Sequence, residues 1–107
     1  MSAGNYSEAL TTYETALAIR PDSLEARYNF AFALEKLNYS PDAAAELEKL
    51  LGAHPNENRA HVALGNLYAQ RLHDAAKARE HYTKALEINP SMPQSAAIRY
   101  WLLANPR

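Results

Sequence analysis

Apolar residues recur at steps of three and four along nearly the whole chain, first at Tyr6, Ala9, Leu10, Tyr13, Ala16 and Leu17, which share one face of an α-helix. Asn5 with Glu8 three residues later has the spacing of a helix start. A second helix is expected after Pro21, where Asp22 and Glu25 repeat that spacing and Tyr28, Phe30, Ala31, Leu34 and Leu37 supply the apolar face; it should stop near Asn38. Ser40 then Pro41 reads as an N-cap followed by a first-turn proline, so a third helix runs through Ala43, Leu47, Leu50 and Leu51 until Gly52 loosens its end. A fourth begins near Asn56 and carries Val62, Leu64, Leu67 and Tyr68. The Arg71 to Asp74 stretch reads as a longer turn, with Asp74 capping a fifth helix that ends before Pro90. A last helix follows Ser91 and Pro93 through Ile98, Tyr100, Trp101, Leu102 and Leu103, stopping at Asn105 and Pro106. Six helices joined by short turns leave no room for strands, and short connections make sequential helices antiparallel.

A longer period overlies the helical one. Pro21, Pro55 and Pro90 lie 34 and then 35 residues apart and close the similar phrases ALAIRP, LLGAHP and ALEINP. The small residues Ala9, Ala43 and Ala78 share those intervals, as do the bulky residues Tyr13, Leu47 and Tyr82. Small residues let helix axes approach, bulky ones fill the gaps, and each proline disfavours continuation of the helix before it. Gly65 stands 34 residues after Ala31, which implies a close helix crossing there. The added residue of the second interval must enter between Tyr68 and Ala78.

Composition narrows the function. The chain has 107 residues, enough for one domain, and with 48% hydrophobic and 21% charged residues it is globular rather than disordered. A net charge of -1 lacks the basic footprint that nucleic acid requires, so no nucleic-acid partner is expected. No apolar stretch reaches the ~18 residues of a spanning helix and no signal pattern opens the chain, so no membrane partner is expected either. This favours the cytoplasm without fixing the compartment, and the absence of cysteine is compatible with reducing and oxidising surroundings alike. Residues 1 to 50 carry eight acids and four bases, residues 51 to 107 four acids and seven bases, so the halves are about -4 and +3.

Helix pairs recurring every 34 residues resemble the tetratricopeptide repeat family over about 90 of the 107 residues. The stretches RYNFAFALEKLNYSPDAAAELEKLLGAHP and HVALGNLYAQRLHDAAKAREHYTKALEINP match its small, bulky and proline columns. The resemblance implies an all-α fold of antiparallel helix-turn-helix repeats stacked into a right-handed superhelical solenoid of six helices, in one domain spanning 1–107. Residues 5–20 would be the second half of an incomplete repeat, 22–55 and 56–90 full repeats, and 91–105 a C-terminal capping helix. Arg27 and His61 stand where the family often has tryptophan or leucine, and Leu50 replaces a usual small residue. The first helices of such pairs line a concave groove that, by resemblance, binds a protein or peptide. On that face fall Glu25, Tyr28, Asn29, Phe32, Glu35 and Lys36, then Arg59, Val62, Asn66, Ala69 and Gln70, and on the last helix Gln94, Ile98 and Trp101. An aromatic stripe at helical spacing reads as core before ligand site, so Phe32 and Trp101 lean to the core, while Tyr28 and Asn66 are the better contacts. Some family members clamp terminal carboxylates of chaperone tails; here Glu25 and Glu35 oppose a carboxylate and the clamp's lysine is missing.

Chemistry has little to stand on. His54 and His61 are seven apart across a proline, His73 and His81 eight apart across a turn, and neither pair has the i, i+4 spacing of a helical zinc site. No glycine-rich phosphate loop or nucleophile elbow is present, so no catalytic residue, metal site or cofactor is expected. The expected function is a non-catalytic protein-interaction module, part of a larger scaffold. The alternative is a homo-oligomer in which another copy covers Tyr6 and Tyr13 on the first helix, whose partner helix the chain does not encode.

Overall fold

A computed structural model describes residues 3 to 106, with side chains from Tyr6 onward, and among them every regular element is an α-helix. The chain divides into two compact units, Met1–Pro55 and Asn56–Arg107. The first holds α1 (Ala3–Ile19), α2 (Leu24–Lys36) and α3 (Ser40–Ala53), packed α1 on α2 and α2 on α3. The second holds α4 (Asn58–Gln70), α5 (Ala75–Ile88) and α6 (Ser95–Ala104), packed α4 on α5 and α5 on α6.

Most helix ends fall where the residue chemistry places them, with some corrections of a residue or two. α1 is already helical at Ala3, so Asn5 lies inside it rather than before it, and the Asn5 side chain lies outside the described ones. The cap of α2 is Ser23 and not Asp22: its Oγ accepts from Ala26 N at 3.2 Å, which satisfies one of the first free amides of the helix. At the other end Asn38 takes φ 67°, Asn38 N donates to Glu35 O at 2.9 Å and Tyr39 N to Leu34 O at 2.8 Å. That pair of bonds is the Schellman closure, and Asn tolerates the left-handed conformation it needs. The closure delivers Tyr39 O as the first acceptor of α3, 2.9 Å from Ala43 N, so Tyr39 is the cap and Ser40 is the first helical residue, its side chain buried. α3 also runs through Gly52 to Ala53.

The turn between α4 and α5 is longer, as the period requires. Leu72 N reaches back to Leu67 O at 2.9 Å, His73 supplies the left-handed residue at φ 53°, and Asp74 N bonds Tyr68 O at 2.8 Å. Asp74 Oδ1 then accepts from Lys77 N at 3.1 Å and caps α5. α6 ends at Asn105, whose carbonyl receives both Nε and Nη2 of Arg79 at 3.2 and 2.8 Å. A guanidinium there satisfies a free carbonyl and suits the negative end of the helix dipole.

The repeating columns become the cores. Ala31, Ala43, Leu47 and Leu50 are buried in the first unit, and Leu64, Leu67, Ala78, Tyr82 and Ala85 in the second. Tyr28, Phe30 and Leu37, expected in the core, are only half-buried. The column weakens at α1: Ala9 and Tyr13 are half-buried, whereas Ala43 and Ala78 are both 0% exposed. Thr12 and Thr15 on α1 turn their hydroxyls back onto Glu8 O and Thr11 O at 3.3 and 2.9 Å. Threonine mid-helix does this when no outside acceptor competes.

Candidate partner-binding faces

On α2, Glu25, Tyr28, Asn29, Phe32 and Lys36 follow a three- and four-residue step, so they run down one side of the helix. Phe32 is 47% exposed, against the lean of an aromatic stripe toward the core. Its ring is held from two sides: Lys36 Nζ lies 5.1 Å from the centroid and the Tyr6 ring of α1 stands 6.4 Å away, tilted by 59°. A cation over the ring face is favourable by ~0.5–1 kcal/mol at an exposed site and keeps the aromatic in place without burying it. Tyr28 and Asn29 are half-buried beside it, and Glu25 is exposed in the first turn. Glu25 at the start and Lys36 at the end also match the two poles of the helix dipole.

The second unit carries a different surface. On α4, Arg59 and Gln70 are exposed and Val62 and Ala69 half-buried, and Arg59 Nε donates to Glu57 Oε1 at 2.8 Å. Asn66 is exposed, yet its Oδ1 accepts from the hydroxyl of Tyr82 on α5. Tyr82 passes over Gly65, where even a single added carbon would overlap the ring, so only glycine lets α5 come this close. Burial raises the Tyr82 phenol above its ordinary value, and as a neutral hydroxyl it keeps the proton that holds Asn66. Against the same ring Trp101 of α6 packs edge-on, centroids 5.1 Å apart at 65°, and is half-buried. Ile98 is buried at 4% exposure and does not line a surface, because α6 turns that side onto the unit. Gln94 is exposed, while Tyr100 and Leu103 on the outer side of α6 are 75% and 82% exposed. Tyr6 and Tyr13, singled out for self-association, are half-buried on α1.

The two histidine pairs weighed from spacing are not the pair that the fold makes. His54 follows α3, with its backbone N on Leu50 O at 2.8 Å, and His73 is exposed in the α4/α5 turn. Instead His61 of α4 and His81 of α5 face one another, Nδ1 to Nδ1 at 3.2 Å, with ring centroids 5.4 Å apart. Their positions match those of Arg27 and Glu46 in the first unit, which form an ion pair at 2.7 Å. The signal lay in the 34- and 35-residue offsets, which carry Arg27 onto His61 and Glu46 onto His81. Both residues at the position where tryptophan or leucine is usual therefore reach across their hairpin to a polar partner. Among the described residues no group of three or more potential ligands gathers to hold a metal ion, and no helix is long and apolar enough to cross a membrane.

Two tetratricopeptide repeat models match the sequence, one over residues 1–70 and one over 59–92. The chain is 38% identical over 78 residues, 73% of its length, to the "Inactive TPR repeat-containing thioredoxin TTL3" of Arabidopsis thaliana, of which it spans 11%. It is 32% identical over 90 residues, 84% of its length, to the "Hsp70-Hsp90 organizing protein" of Triticum aestivum, spanning 15% of that protein. It is 26% identical over 94 residues, 88% of its length, to the "Protein O-mannosyl-transferase Tmtc3" of Drosophila melanogaster, spanning 10% of it.

Proposed function

We propose that this chain, which belongs to the tetratricopeptide repeat family, is a non-catalytic module that binds a protein or peptide partner along the exposed sides of its first-type helices. The observation that carries this reading is Phe32, a large aromatic left 47% exposed while held by Lys36 and Tyr6. An aromatic already fixed in place loses little side-chain entropy on binding, which is what makes such residues anchors. Tyr28 and Asn29 extend the anchor along α2. On α4 the Tyr82 hydroxyl occupies Asn66 Oδ1 and leaves the Asn66 amide nitrogen to donate, with Arg59, Val62 and Gln70 on the same helix. Trp101, packed against Tyr82, serves this surface mainly through support.

The relatives span larger proteins, so the partner of this segment is its own question. Glu25 and Glu35 on α2 oppose the terminal carboxylate of an acidic tail. A peptide with apolar and cationic side chains fits α2 better than an acidic tail.

A fluorescent peptide pool, with and without acidic C-termini, measured by anisotropy against the wild type and Phe32→Ala, tests the reading. The expected result is weaker binding by Phe32→Ala at an unchanged melting temperature. Equal affinity for wild type and variant, or a preference for acidic tails, would sink it.

A second reading concerns self-association, favoured by α1, whose apolar residues Tyr6, Ala9, Leu10, Tyr13, Ala16 and Leu17 are all half-buried. A further copy covering that side would bury more, worth on the order of 1.5–3 kcal/mol per large side chain fully covered. The halves at about -4 and +3 favour head-to-tail contact that weakens with salt. Sedimentation at low and high salt decides it, and a monomer at millimolar protein rejects it.

A further inference from the structure

We infer that Met92 is a redox-sensitive latch: oxidation of its sulfur by hydrogen peroxide releases the α5/α6 turn from the start of α4 and loosens α6. Met92 lies in that turn between exposed Ser91 and Pro93, yet is itself 6% exposed. Its sulfur accepts a hydrogen bond at 3.3 Å from Nδ2 of Asn58, the first residue of α4. The Oδ1 of the same amide is buried with no hydrogen-bond partner. A thioether is an apolar filler and a weak acceptor at once, so one side chain both seals the turn and engages the amide.

The chemistry needs one equivalent of peroxide. The sulfur takes up one peroxide oxygen as the O–O bond breaks, and both hydrogens leave on the other oxygen as water. Sulfur is oxidised by two electrons, the peroxide is reduced by two, and the product is methionine sulfoxide, a polar group in place of an apolar one. The new oxygen has no place in the latch. An N–H···O bond needs ~2.7–3.2 Å between donor and acceptor, whereas the sulfur itself stands only 3.3 Å from Nδ2. An oxygen bonded to that sulfur therefore enters the line only if the turn backs away from α4. Turned elsewhere within the closed turn, it is a further buried acceptor next to an amide whose Oδ1 already has no donor.

The turn in its way governs α6. Met92 O accepts from N of Ser95, the first residue of α6, at 3.0 Å, and Arg99 Nη2 of α6 reaches back to Pro90 O at 3.0 Å. Farther along α6, Trp101 packs on Tyr82, whose hydroxyl holds Asn66. A turn pushed off α4 thus carries its displacement through α6 to Trp101 and on to the Asn66 amide. Sulfoxide formation is reversible by methionine sulfoxide reductases, which makes the latch a two-way device.

The chain provides its own reporter, because its one tryptophan is Trp101. The full chain would be treated with hydrogen peroxide, and peptide mass spectrometry would follow Met92 separately from the other methionine, Met1. Urea unfolding would then be read by Trp101 fluorescence. Met92 is expected to oxidise in the folded chain, more slowly than in urea. The unfolding constant should rise by about tenfold or more, the change that one badly paired buried polar group brings, and a methionine sulfoxide reductase should restore it. Met92→Leu, close in volume and without a sulfur, should give one unfolding curve before and after peroxide. Asn58→Ala removes the orphaned oxygen and opens space for the new one, so oxidation should cost that variant less. A Met92 that reacts only in urea, an oxidised chain with an unchanged unfolding curve, a peroxide effect that persists in Met92→Leu, or an equal loss in Asn58→Ala would each overturn the latch.

Discussion

The α2/α3 and α4/α5 hairpins are built on one repeat, yet they solve the same packing problem with different residues. In the first, Ala31, Phe32 and Leu47 occupy the positions that Gly65, Asn66 and Tyr82 occupy in the second. The differences are linked. A tyrosine at the bulky position fills more volume than leucine, so the residue facing it must shrink from alanine to glycine. The tyrosine also brings a hydroxyl that needs an acceptor when buried, and Asn66 stands where the first hairpin has Phe32. Because Leu47 has no polar atom to satisfy, the first hairpin is free to place an aromatic on the surface, and that aromatic is the proposed anchor. Packing chemistry inside each hairpin thus selects the surface chemistry outside it.

The largest test of this comparison deletes the bulky residue. Tyr82→Ala is expected to cost about 3–5 kcal/mol, as for other large aromatics cut back in a core, read as a lowered urea midpoint. Tyr13→Ala on half-buried α1 should cost well under half as much; equal losses would mean that the column is sealed evenly from end to end.

A smaller effect probes the glycine. Gly65→Ala should destabilise by ~1–3 kcal/mol through overlap with the Tyr82 ring, although alanine is otherwise the better helix residue. Adding Tyr82→Leu to it recreates the Ala and Leu pairing of the first hairpin and should recover part of the loss, giving a non-additive cycle. Strict additivity would show that the two positions are independent.

The turns differ by less. His73→Gly is expected to stabilise by roughly 1 kcal/mol, because histidine holds a left-handed φ of 53° there, while Asn38→Gly changes little since asparagine tolerates φ 67°. Thermal melts of the two variants make the comparison, and a destabilised His73→Gly would assign that side chain a contact of its own.

The last effect appears only in alkali. Burial raises the Tyr82 phenol above its ordinary value, so the folded state keeps a proton that the unfolded state gives up near pH ~10. The contribution is complete below that pH and is lost as pH rises through the folded value, so stability must fall with rising pH above ~10. Absorbance titration of phenolate should show a late component that Tyr82→Leu removes.

Much of this architecture was legible beforehand because it depends on short-range rules. Proline, the capping side chain of Asp74 and the three- and four-step of apolar residues each act within a few residues, and together they point to the six helices of the described residues. Asp22 lost its capping role to Ser23, and Ser40 lost its role to Tyr39, because a cap is set by where the preceding turn delivers the backbone. Phe32 leans to the core in the sequence for the same kind of reason: helical spacing gives the side of a helix on which a residue lies, and only packing tells whether anything covers that side.

The sequence by itself determined the period, the helix order and the site of the inserted turn residue, since local backbone preferences and column volumes are written in residue types. The tertiary structure alone decided which side chains meet. His61 and His81 are 20 residues apart on different helices, and no spacing rule within one helix brings them to 3.2 Å. Only folding of the hairpin does, by laying α5 against α4 in a register that Gly65 permits and Tyr82 fills.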